Sequence, residues 1–184
     1  RLRCGGVGWV LPVVGRWLVL GAGHGVCSLA LSIDSDQREI IGIDHDPGRV
    51  RLAEGAIARH ACAAKPRFEV GDLEKSLAKL PSGSFAGIAM IDVLHYFDTD
   101  GQRALINGAA RVLEPGGILA MREVDSAGGP AAVWNRAYEN VATRIGFSHS
   151  DRTRLAFRSR SEWTHILDSA GVRLQSAPCG LLTF

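Results

Sequence analysis

Residues 17–25 read Trp17-Leu18-Val19-Leu20-Gly21-Ala22-Gly23-His24-Gly25, and this stretch decides the fold. A short apolar run ended by glycines marks a strand buried on both faces. The glycines let the chain turn tightly and leave bare backbone where a ligand can lie. Val26 to Ile33 then reads as a helix.

Outward from this unit, strand-like and helix-like segments alternate. Glu39–Ile43 is a second apolar run. Asp46 and Pro47 open a helix, because Asp caps free amides and Pro suits the first helical position. That helix is expected to reach about Ala64, with Val50, Ala53, Ile57 and Ala61 on one face. Arg67–Val70 and Ile88–Ile91 predict the third and fourth strands. A helix near Gly101–Leu113 stops at Glu114-Pro115-Gly116-Gly117, where proline cannot continue it and glycine accepts positive φ. Ile118–Val124 predicts a fifth strand. Ser159 and Glu162 form a capping box before a helix to Ala170, and Val172–Ser176 predicts a sixth strand. The expected architecture is α/β, a Rossmann-like three-layer sandwich with a mostly parallel sheet. Ligands of such sheets bind beyond the carboxyl ends of the strands.

A length of 184 residues predicts one domain over 1–184. The hydrophobic fraction of 46% and charged fraction of 22% are those of an ordinary globular protein. A net charge of +2 gives no strong field toward nucleic acid or membrane. Cys4, Cys27, Cys62 and Cys179 are scattered with no CxxC pair, which suggests neither zinc nor a disulfide framework. Reduced thiols in a cytoplasmic protein are expected. Residues 7–20 are apolar, but Pro12, Gly15 and Arg16 interrupt them, so no membrane span is expected. A buried strand is preferred there over a signal peptide, and the start at Arg1 suggests a fragment or a processed chain.

The glycines are spaced G-x-G-x-G, one residue short of the dinucleotide fingerprint. This spacing resembles the first motif of the class I S-adenosylmethionine (SAM)-dependent methyltransferases. Three further stretches match in order. Ile41-Gly42-Ile43-Asp44 places a carboxylate at a strand end, where it can accept hydrogen bonds from ribose hydroxyls. Gly71-Asp72-Leu73 follows the third strand, although Asp72 alone also reads as a helix cap. Ile91-Asp92-Val93-Leu94-His95-Tyr96 resembles the family's fourth motif, and Glu114–Gly117 its L-x-P-G-G turn. The resemblance covers residues 16–124 and 159–178. It implies SAM as cofactor, with Gly21, Ala22, Gly23 and Gly25 beneath it and Asp44 on the ribose beside His45. It also implies Asp72 at the adenine amino group, Leu73 packed by the ring, and Asp92 near the cofactor. The family's final antiparallel strand is not evident before Phe184 and is expected to be truncated. One departure stands out. Val19 occupies a position where the family usually has an acid that helps hold the methionine end. Charge-assisted hydrogen bonds are worth about 1.5–3 kcal/mol, so weaker binding, compensation by backbone carbonyls, or a noncatalytic relative is expected.

The implied function is methyl transfer from SAM to a small-molecule acceptor. The cofactor carries its own leaving group, so the protein's task is alignment. A hydroxyl acceptor gains from a general base. His95 is the first candidate and Glu123 the second, with a hydrogen-bonded pocket histidine as the other reading of His95. Tyr96, Arg154 and Arg158 are acceptor-side candidates. Residues 131–160 lie off the alternating pattern and suggest a substrate cap. They hold six arginines, no lysine and two acids, which fits either an acidic acceptor or a solvated face. Asp44-His45-Asp46 cannot converge on one ion, so no metal is expected. No nucleic-acid partner is expected without a long basic stripe. Two alternatives remain: a noncatalytic SAM- or nucleoside-binding protein, motivated by Val19, and an NAD-linked oxidoreductase, disfavoured by the glycine spacing.

Overall fold

Leu18, Val19 and Leu20 are enclosed because their strand is the middle one of five. The computed structural model describes residues 11–59, 65–127 and 155–175. In chain order these form β1 (Gly15–Leu20), α1 (Val26–Asp34), β2 (Arg38–Asp44), α2 (Pro47–Arg59), β3 (Arg67–Val70) and α3 (Leu73–Lys79). They continue as β4 (Phe85–Ile91), a 3-10 turn (Leu94–Tyr96), α4 (Thr99–Val112), β5 (Leu113–Arg122) and α5 (Arg160–Ser169). The sheet order is β3-β2-β1-β4-β5. Every described pair is parallel, with Leu18 opposite both Ile41 and Ile88.

Side chains alternate across the sheet, so β1 feeds two cores. Trp17 and Val19 join Leu31 of α1 with Ile40, Ala22 and Ala89 on one face. Leu18 and Leu20 join Leu73 and Leu77 of α3, Leu105 and Ile106 of α4, and Trp163 and Ile166 of α5 on the other. Burying each such side chain contributes about 1.5–3 kcal/mol, which is why the β1 run has no polar face. The first core needs a flat seat for the Trp17 ring, and Gly87 supplies it: a Cβ there would lie 2.5 Å from the ring.

Arg38 is buried at the start of β2, with two of its three guanidinium nitrogens hydrogen-bonded. Its Nε donates to Pro12 O at 2.8 Å and its Nη1 to Leu31 O at 2.9 Å. It also pairs with Asp34 at 2.8 Å. These bonds tie the end of α1 to β2 and leave the opposite, carboxyl end of the sheet to carry the site.

The structure differs from expectation in four places. α3 is an additional helix, capped by Asp72, whose Oδ1 accepts from Lys75 N at 2.9 Å. β5 starts at Leu113, so Pro115, Gly116 and Gly117 lie within it, with a register shift opposite Phe85 and Gly87. The strand ends at Arg122, short of Val124. Val172–Gln175 is not a strand. The Val172 amide donates to Leu167 O at 2.9 Å, so it closes the end of α5 instead of joining a ladder, and the described sheet is wholly parallel. Residues 60–64, most of the expected cap (131–154) and the residues from 176 onward, where a final antiparallel strand would fall, lie outside the described residues.

Gly87→Ala is expected to destabilise the fold by about 1–3 kcal/mol, the usual cost of overpacking a tight core. A urea unfolding midpoint equal to wild type would contradict the seat assigned to Trp17.

Candidate active site and cofactor crevice

The glycine loop after β1 is held from both sides. Gly21 N and Ala22 N both donate to Ile43 O of β2, at 2.9 and 3.0 Å. Gly21, Gly23 and Gly25 have φ of 70°, 53° and 82°, the left-handed region that favours glycine. The outer two are also packed closely. A Cβ on Gly21 would overlap the Val93 side chain, and one on Gly25 would lie 2.9 Å from Ala53. Gly23 differs, since a Cβ there would meet nothing within 4 Å. The middle of the loop therefore presents bare backbone to open space.

Asp44 ends β2 beside this loop and is 3% exposed. Its Oδ2 accepts from Gly23 N at 2.8 Å, and its Oδ1 accepts from Asp46 N at 3.0 Å. Each carboxylate oxygen can accept a second hydrogen bond. His45 projects outward, with its Nδ1 3.4 Å from Asp44 Oδ1. Asp46 caps α2 through Gly48 N at 2.7 Å, as expected of an Asp-Pro start. Asp72 follows β3 at the same end of the sheet, while Leu73 turns into the larger core.

Asp92 follows β4 in a left-handed conformation, φ 52°. Its amide donates to Arg122 O at 2.9 Å. Its Oδ2 accepts from Arg122 Nε at 3.0 Å and from Nη2. The two side chains are 36% and 42% exposed. Arg122 also acts on Cys27 in the first turn of α1. Burial pushes that thiol up to about 11, and the Arg122 charge offsets part of the rise.

His95 and Glu123 meet in the interior. Glu123 Oε1 accepts from Val93 N at 2.9 Å and Leu94 N at 2.6 Å, and Oε2 lies 2.8 Å from His95 Nδ1. His95 is 1% exposed, stacks on Phe157 at 5.1 Å and lies 4.2 Å from the Tyr96 ring. Residues 155–159 are docked over this turn. Ala156 N donates to His95 O at 2.8 Å, and Ser126 N donates to Arg158 O at 2.9 Å. Gln102 Nε2 donates to Leu94 O at 3.1 Å and Ala156 O at 2.8 Å. Arg158 donates to Gln102 Oε1 and to Thr99 Oγ1, the latter at 2.8 Å, and pairs with Glu162 at 3.5 Å. Its fork is thus spent on docking. Arg154 lies outside the described residues. Gln102 was not singled out from the sequence. The signal was its place at the head of the Gln102, Leu105, Ile106, Ala109 stripe, where a polar residue enters a buried face.

The loop glycines, Asp44, Asp72, Asp92, His95 and Glu123 thus gather at the carboxyl ends of the strands. At the other end, Asp36, Gln37, Arg38, Glu39, Lys65 and Arg67 line an open depression of about 460 Å³. The Glu39–Arg67 ion pair crosses it, and no sequence motif falls there. With this geometry, the family described as a methyltransferase domain matches residues 18–117, from β1 to the Pro-Gly-Gly stretch of β5.

The chain belongs to this methyltransferase-domain family. No curated protein sequence matches it significantly. Among solved structures, the domain is similar to the YcgJ protein of Bacillus subtilis, at 24% identity and a TM-score of 0.66. That match covers 87% of this chain and 62% of the Bacillus chain. A SAM-dependent methyltransferase from Methanosarcina mazei is 21% identical with a TM-score of 0.66, over 87% of this chain and 80% of its own. An O-methyltransferase of neocarzinostatin biosynthesis was solved with SAM and 2-hydroxy-5-methyl naphthoic acid. It is 18% identical with a TM-score of 0.66, over 92% of this chain and 46% of its own. At these identities the likeness establishes the fold.

Within the domain, Glu123→Ala leaves the buried Val93 and Leu94 amides without their acceptor. Each unsatisfied group costs about 1–3 kcal/mol, so a loss of roughly 2–6 kcal/mol is expected in chemical denaturation. A loss below about 0.5 kcal/mol, within the range of ordinary surface substitutions, would show that Glu123 does not hold the turn.

Proposed function

We propose that this methyltransferase domain binds SAM across the carboxyl ends of β2, β1 and β4 and transfers its methyl group to a small-molecule acceptor. The observation that carries the reading is Gly23: bare backbone facing open space, its amide fixed by the buried carboxylate of Asp44. A side chain would fill that place, and a ligand tail fits it. When bound, SAM supplies an activated methyl on a sulfonium that is also the leaving group. The chain's own residues bind and align. Asp44 accepts from the ribose hydroxyls through its remaining lone pairs, His45 and Asp72 border the adenine, and the Gly21–Gly25 backbone runs beneath the thioether.

For a hydroxyl acceptor, His95 is the proposed base and Glu123 its orienting partner. A carboxylate at Nδ1 favours the tautomer with its proton there, leaving Nε2 the basic nitrogen. Glu123 itself holds two amides and His95, so its proposed role is positioning. Tyr96 is proposed on the acceptor side, and residues 131–160 as a cap inserted in a single domain over 1–184. Because Arg158 is engaged by Gln102, Thr99 and Glu162, Arg154 is the better candidate for an acidic acceptor group. Among the described residues no helix is long and apolar enough to cross a membrane. The proposed setting is the cytoplasm, without a nucleic-acid partner. A second reading, a noncatalytic SAM-binding protein, is favoured by the burial of Val19, which brings no charge to the crevice.

Calorimetric titration tests the lead reading. SAM and S-adenosylhomocysteine are expected to bind and NADH not to. Asp44→Ala, with wild-type circular dichroism, is expected to weaken both by roughly 10- to 100-fold, the equivalent of about 1.5–3 kcal/mol. NADH binding tighter than SAM overturns the reading. SAM binding without turnover on any of a panel of hydroxyl, amine and carboxylate acceptors favours the noncatalytic one.

A further inference from the structure

Val19 leaves the amino-acid end of the methyl donor without the usual carboxylate. The side chain is 1% exposed and packed among Trp17, Ile40 and Ala89, so nothing charged can replace it in place. A carboxylate does stand on the next strand. β1 pairs with β4 through Leu20 and Met90, and the first loop glycine lies directly against Val93. Asp92, the residue immediately before Val93, therefore stands at the β4 flank of the glycine loop, opposite the flank that Asp44 holds from β2. Asp92 does not stand alone. Arg122, at the end of β5, reaches it with two nitrogens, and the Arg122 charge is felt at Cys27 in the first turn of α1. The pair thus stands beside the loop at the carboxyl end of the sheet.

We infer that Asp92 and Arg122 together bind the zwitterionic amino-acid end of SAM, Asp92 receiving the ammonium and Arg122 the carboxylate, in place of the acid missing at position 19. The inference rests on the SAM reading above.

Two observations favour a binding role over a stabilising one. An ion pair exposed by more than a third on each side adds little to stability. Asp92 also holds φ 52°, a conformation non-glycine residues seldom adopt, and its carboxylate meets Arg122 from there. A zwitterion matches such a pair charge for charge: each partner exchanges its neighbour for a ligand group of the same sign, and no net charge is buried. A simple anion or cation would satisfy one partner and strand the other.

The test separates this from the cofactor reading by using two ligands. S-adenosylhomocysteine carries the amino-acid end; 5′-methylthioadenosine shares the nucleoside and thioether but lacks it. Both are titrated calorimetrically into the full chain, wild type, Asp92→Asn and Arg122→Gln. Asn tolerates the left-handed backbone at 92, and matched thermal melts establish that each variant is folded. Wild type is expected to prefer S-adenosylhomocysteine by at least about tenfold, a margin of one charge-assisted contact. Each variant is expected to lose most of that preference while holding 5′-methylthioadenosine within about twofold of wild type, a spread well under one hydrogen bond. If the variants weaken both ligands alike, or neither, the assignment of Asp92 and Arg122 is overturned and the cofactor reading stands. If wild type binds neither ligand, the cofactor reading itself has failed, and this inference falls with it.

Discussion

The hydrogen bond from the Gly23 amide to the buried Asp44 carboxylate is the constraint on which the rest of the site depends. It joins β1's loop to the end of β2 across the sheet. The loop's three positive-φ glycines cost more chain entropy on folding than other residues would, so the turn must be held. Ile43 O and Asp44 do this from one side and Val93 from the other. With the loop held, α1 starts at a defined angle, Trp17 and Val19 face Leu31, and bare backbone is presented at Gly23. The same carboxylate that organises the fold is the group proposed for the ribose.

A second carboxylate does comparable work three strands away. Glu123, at the end of β5, gathers the Val93 and Leu94 amides and the His95 ring. It thereby shapes the turn after β4 that presents Asp92 outward and His95 inward. Gln102 and Arg158 then dock residues 155–159 on the same turn. Buried polar networks of this kind favour a single arrangement, because each member left unpaired is costly. The two sides of the crevice are therefore organised alike, each by a buried acid that ties one strand end to its neighbour.

Much of this was legible in the sequence where the physics is local. The apolar run at Trp17–Leu20, the Asp46-Pro47 start and the Ser159–Glu162 capping box are legible because each depends on residues a few positions apart. α3 is not legible in the sequence because seven residues with only Leu73 and Leu77 buried give too short a pattern for a periodicity to show. Val172–Gln175 alternates like a strand, but its leading amide is taken by Leu167 O, a helix-end bond that composition does not reveal. The gathering of candidates at one sheet end followed from the strand–helix order. Their partners did not: Arg122 lies 30 residues from Asp92, Glu123 28 from His95, and Arg158 56 from Gln102. Such pairings depend on the packed fold, and single-sequence patterns carry no record of them.

The account's central claim is that the carboxyl end of the sheet, at the Asp44-held glycine loop, is the cofactor site. The most direct measurement is a crystal structure grown with S-adenosylhomocysteine. The account predicts ligand density over Gly23, with both ribose hydroxyls within hydrogen-bond distance of the Asp44 carboxylate. Density at the opposite end of the sheet, in the depression lined by Arg38, Lys65 and Arg67, or a glycine crevice filled by the protein's own side chains, would contradict it.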